Sequence, residues 1–138
     1  VARQFGADEV LLTPLRAEMF RKGIDRALVA SQPRSLPEVM PFMNYGGIIA
    51  FIGIEYGPGA AITFDANDFH FKKLQLRASH ASPAHYFPLA LQLMKDGHVD
   101  GDAVISHVMP LERIAEAMTI LRDCRDEVLK VIISPSMH

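Results

Sequence analysis

Three short stretches carry residue types suited to meeting a ligand. Ile52, Gly53 and Ile54 close the most apolar run of the chain. A glycine there would let a flat ring approach the main chain while an aliphatic side chain packs on its face; equally, a strand turns readily at glycine. Ala78 to Ser82 reads Ala-Ser-His-Ala-Ser, and such small side chains would expose backbone donors and acceptors to a ligand amide, or simply lead into a helix. Lys130 is a lone cation in an otherwise apolar run, placed to neutralise a phosphate or to lay its stem along a sheet edge.

Other chemistry finds less support. His70, His80, His85, His98 and His107 lie among Asp65, Asp68, Asp96, Asp100 and Asp102, but no two histidines sit one helical turn apart around a glutamate. Ser31, Ser79, Ser82 and Ser106 fall outside any Gly-x-Ser-x-Gly elbow, so a serine hydrolase has no footing. Asp65, Asn67 and Asp68 lack the run of oxygen ligands and the closing glutamate of a calcium loop.

The elements that must position these residues alternate between β-rich runs and helical periodicity. Val1 to Phe5 reads as a helix tail closed by Gly6, and Asp8 to Leu12 as a short strand stopped by Thr13 and Pro14. Pro14 would open a helix over Leu15 to Lys22 ending at Gly23, followed by a short strand, Ala27 to Ala30. Ser35 and Glu38 have capping-box spacing for a helix reaching Gly46 and Gly47. Ile48 to Gly53 is continuously apolar, as suits a strand of a parallel sheet, and Gly57-Pro58-Gly59 forces a loop.

Further on, Ile62 to Phe64 is an extended candidate, Asn67 to Phe71 a helical turn, and Lys73 to Ala78 a strand. Ser82 and Pro83 start a helix with Phe87, Ala90, Leu91 and Met94 on one face and Gly97 as its stop. Ala103 to Val108 reads as a strand, Pro110 opens a helix, and Val128 to Ile133 closes as a strand. This alternation implies crossover units around a parallel sheet, so the fold class is α/β. In such sheets ligands bind beyond the carboxyl ends of the strands, where the first two ligand-facing stretches fall.

Composition narrows the partners. Across 138 residues, 14 Lys plus Arg against 16 Asp plus Glu give a net charge of −2, with no basic field for nucleic acid or anionic lipid. The single cysteine, Cys124, excludes an internal disulfide and a multi-thiolate zinc site, and fits a reducing cytoplasm. No apolar run approaches the roughly 20 residues of a membrane span, and no signal-peptide pattern opens the chain.

Several strings resemble one family. Gly6-Ala7-Asp8-Glu9-Val10, Tyr45-Gly46-Gly47 leading into Phe51-Ile52-Gly53-Ile54, and Leu74-Gln75-Leu76-Arg77-Ala78-Ser79 are similar to the cofactor domain of medium-chain, zinc-type alcohol dehydrogenases. The run from Ile105 through Pro110-Leu111-Glu112 to Ala117, followed by Lys130-Val131-Ile132-Ile133, resembles that family's closing helix and strand. The resemblance spans essentially the whole chain but only the C-terminal part of the family's sequence. It implies that residues 1–138 form the C-terminal portion of a dinucleotide-binding Rossmann domain, an incomplete parallel sheet flanked by helices. Residues 103–138 would be a closing helix-strand extension returning to an absent catalytic domain.

The resemblance also implies roles. Ala30 and Ser31 would lie beside the adenosine half of NAD or NADP, and Ile52, Gly53 and Ile54 would line the nicotinamide. The main chain of Ser79, His80 and Ala81 would hold the carboxamide, and Lys130 would face the pyrophosphate. Ile62 to Phe71 would form the edge through which a homodimer assembles. The parent would oxidise an alcohol, polyol or amino alcohol through a catalytic zinc held in its N-terminal domain.

The departures from the family are as informative. The chain has no Gly-x-Gly-x-x-Gly, no ribose-binding acid after a second strand, no zinc-ligand domain and no structural-zinc cysteines, so it would be inactive alone. Two other readings stand beside this one: a nonenzymatic α/β dimerisation or nucleotide-binding module, and a zinc-free quinone-reductase-like oxidoreductase on the same fold. Under strand order 3-2-1-4-5-6, residues 1–12 would lack their sheet neighbours and be displaced, paired with another chain or poorly ordered, while residues 24–51 keep strand four as an exposed edge.

Overall fold

The structure, a computed structural model, describes residues 1–12, 14–80 and 83–136, with Pro83 described by its backbone alone. They form two compact units, one comprising Glu9–Ala81 and the other Val1–Asp8 with Ser82–His138.

The first unit is built on three parallel strands in the order β1 (Ile24–Val29), β2 (Met43–Phe51) and β3 (Gln75–Ala78). A parallel pair cannot be joined by a tight turn, so each connection crosses over carrying helix. Between β1 and β2 the crossover is two 3-10 turns flanking α1 (Leu36–Val39), and between β2 and β3 it holds α2 (Ala66–Phe71). Leu36 and Met40 of the first crossover are buried with Val29, Met43, Ile49 and Leu74, forming the core on one side of the sheet. Ile62 and Phe69 pack against this cluster from the second crossover. β1 is an edge of the sheet, as expected.

Several expected boundaries move for local reasons. Residues 8–12 form no strand: a strand needs a ladder partner, and the exposed Val10, Leu11 and Leu12 lie beside none of the three. The helix expected over residues 15–22 is a single 3-10 turn, Ala17–Phe20, although Gly23 does take the expected left-handed conformation, at φ +69°. The capping box fails because Pro33 starts a helical turn early. Ser35 is therefore already helical, at φ −80° and ψ −11°, and its hydroxyl caps nothing. β2 starts at Met43 and includes Gly46 and Gly47, and it ends at Phe51, so residues 52–54 follow the strand. Residues 62–64 form no strand. β3 starts at Gln75 because the chain leaves α2 through Lys73 at φ +50°.

Two side chains missed in the sequence hold the opposite end of the sheet and the second crossover. Asn44 Nδ2 donates to the Lys22 carbonyl at 2.9 Å and to Asp25 Oδ1 at 3.0 Å, clamping the entry of β1 against β2. Here the register shifts: Ile24 pairs with Met43 but Arg26 with Ile48. Asp65 caps α2, its Oδ1 accepting from Asn67 N at 2.8 Å and Asp68 N at 3.0 Å.

In the second unit, residues 1–6 form hydrogen-bonded turns rather than the helix tail expected there, and Gly6 takes the expected left-handed conformation at φ +87°. α3 (Pro83–Lys95) ends as expected, with Gly97 left-handed at φ +76°; Ser82 lies outside the described residues. β4 (His107–Pro110) and β5 (Val131–Ser134) pair in parallel around α4 (Ile114–Asp123). Both strands start later than expected. Residues 101–105 are turned by Asp100, whose Oδ1 accepts from the Asp102 and Ala103 amides. Lys130 lies just before β5 rather than within it, its carbonyl accepting from Ser106 N and Ser106 Oγ. On α4, Arg113 Nε donates to Glu116 Oε2 at 2.7 Å, and this hydrogen bond and the guanidinium charge hold the Glu116 carboxyl below its ordinary range.

Two outcomes follow. Asn44→Ala removes both clamp bonds and is expected to cost about 1–2 kcal/mol in urea unfolding, whereas an unchanged midpoint would show that the clamp holds nothing. The depressed Glu116 pKa means that the pair supports α4 at neutral pH and loses that support as pH falls through the folded-state pKa. A carboxyl-detected NMR titration should place the Glu116 midpoint below the usual glutamate range, and Arg113→Gln should return it there.

Candidate functional site

Parallel strands all point their carboxyl ends to one edge, and here those ends are level. Val29 pairs with Phe51 and Phe51 with Ala78, a single row across β1, β2 and β3. The next amides extend it: Ile52 N donates to the Val29 carbonyl at 3.1 Å and Ser79 N to the Phe51 carbonyl at 3.0 Å. Beyond the row stand Ala30 and Ser31, then Ile52, Gly53 and Ile54, then Ser79 and His80, so seven of the nine sequence-assigned residues share one edge. Ala81 lies outside the described residues. Lys130 belongs to the other unit and is exposed there.

Gly53 is held by packing. A Cβ at this position would lie 1.7 Å from the Ser31 carbonyl oxygen and 2.6 Å from its carbon, both main-chain atoms. The segment leaving β2 therefore runs directly against the segment leaving β1. Neither a turn nor a left-handed φ demands the glycine; contact between neighbouring strand ends does. Sequence reasoning singled out this glycine, but only adjacency in the sheet discloses the contact.

The chemistry of the edge is that of main chain and aliphatic surface. Ile52 and Ile54 are exposed at 51% and 60%, and His80 is the one ionisable side chain among the seven. With no lysine or arginine in the row, it suits a flat, amide-bearing group better than an anion. A separate cleft of about 570 Å³, lined by Pro14, Leu15, Glu38 and Phe42, shares no residue with it.

No protein-family model matches the chain. Among curated proteins it is 31% identical over 90 residues to an uncharacterized zinc-type alcohol dehydrogenase-like protein of Bacillus subtilis, covering 65% of this chain and 23% of that protein. It is 28% identical over 133 residues to an L-threonine 3-dehydrogenase of Anaeromyxobacter dehalogenans, covering 91% of this chain and 38% of the relative. In sequence the chain is thus similar to alcohol and threonine dehydrogenases. It spans well under half the length of these relatives. In fold it matches a short chain alcohol dehydrogenase of Escherichia coli CFT073 solved with NADH, at TM-score 0.84 and 19% identity, covering 96% of this chain and 40% of that one. The fold is thus that of the Rossmann-type dehydrogenases.

Among the described residues, no three His, Cys, Asp or Glu side chains come together as metal ligands, and Cys124 is a free, exposed thiol. The level edge offers main-chain groups, aliphatic cover and a close backbone approach at Gly53.

Gly53→Ala should therefore displace the Ser31 segment and lower stability by about 2–3 kcal/mol, read by urea unfolding. Gly46→Ala makes the control: a Cβ there meets nothing within 4 Å, so only the strain of its φ of +73° is felt, about 1 kcal/mol. Equal losses in the two variants would remove the packing argument.

Proposed function

We propose that the chain is the cofactor-holding part of an NAD- or NADP-dependent alcohol or polyol dehydrogenase, in which hydride passes between a secondary alcohol and nicotinamide. The observation that carries this reading is the level edge at Val29, Phe51 and Ala78, followed by the segments that the family resemblance ties to the cofactor. The kinship with alcohol and threonine dehydrogenases supports it.

In this reading each segment has one task. Ala30 and Ser31 flank the adenosine half, while Ile52 and Ile54 cover the nicotinamide face, and Gly53 keeps their segment against Ser31. The main chain of Ser79, His80 and Ala81 orients the carboxamide, which fixes the face of the ring turned to substrate. The bound nicotinamide supplies the hydride chemistry. A metal that stabilises the alcohol oxygen belongs to a catalytic domain outside these 138 residues, and the chain alone carries no turnover. The substrate class is a small alcohol, polyol or amino alcohol, and the setting is the cytoplasm.

Homodimerisation belongs to the same proposal, through residues 62–71. Here Phe64 stacks at a tilt on Phe69 with ring centroids 5.3 Å apart, and Phe69 packs on the core while Phe71 is 73% exposed. An apolar ring on a short helix in the crossover into β3, an edge strand of the sheet, suits a self-complementary contact about a two-fold axis.

Two measurements test these readings. In ¹H–¹⁵N spectra titrated with NADH, the amides of Ser31, Gly53 and Ser79 should shift together, with a dissociation constant on the order of millimolar because no glycine-rich phosphate loop contributes. Shifts scattered elsewhere, or none, would sink the cofactor reading. In sedimentation velocity the chain should run as a dimer and Phe71→Glu as a folded monomer; a monomeric parent chain removes the dimer proposal alone.

A further inference from the structure

We draw no further inference here: the strongest candidate, the second face of the three-stranded sheet, where Leu28 stands 69% exposed beside the partly buried Ile48 and Ala50 at the free edge of β1, carries nothing because no segment or partner in the structure shows what covers it.

Discussion

Parallel pairing obliges the chain to travel back along the sheet between every two strands, and the rest of the first unit follows from that obligation. The returning segment must lie on a face of the sheet and must be apolar where it touches, which is why Leu36 and Met40 are buried against Val29, Met43 and Ile49. Each return also brings the chain back to the same starting end. The three strands therefore finish together, at Val29, Phe51 and Ala78, and the residues after them collect at one edge although 49 positions separate the first of these from the last. An antiparallel sheet of the same segments would have scattered them between both ends.

What could be read in advance follows the same division. The α/β class, the parallel pairing and the helix from Pro83 to Lys95 all come from apolar periodicity and from glycine and proline stops, which act over a few residues, while the edge position of β1 came from the strand order that the resemblance implies. The edge residues 52–54 and 79–80 were legible because each follows an apolar run, whereas 30–31 came only from the family resemblance. Strand limits were less so. Whether Lys130 starts β5 or precedes it is settled by Ser106, 24 positions away, whose hydroxyl and amide both donate to the Lys130 carbonyl. Asn44 escaped for the same reason, since its partners are the Lys22 carbonyl and Asp25, on the neighbouring strand and its approach. The Ser35 capping box misled because a proline two positions upstream changed which residue begins the helical turn.

The division of polar labour within the chain is also informative. The described hydrogen bonds of Asn44, Asp65, Asp100 and Ser106 are all spent on the chain itself, shaping turns and helix starts. The edge beyond the three strands has instead been left with small and aliphatic side chains. That contrast rests on what each side chain touches rather than on its type: Ser106 is wholly structural, while Ser31 and Ser79 stand exposed at the edge.

The contact at Gly53 also makes tolerance to mutation uneven along three consecutive positions. Any side chain at 53 collides with the backbone of Ser31, so that position is closed to drift. Ile52 and Ile54, pointing outward on either side of it, can change size or polarity without disturbing the main chain. Divergence at this edge therefore has two adjustable positions around one fixed hinge pin.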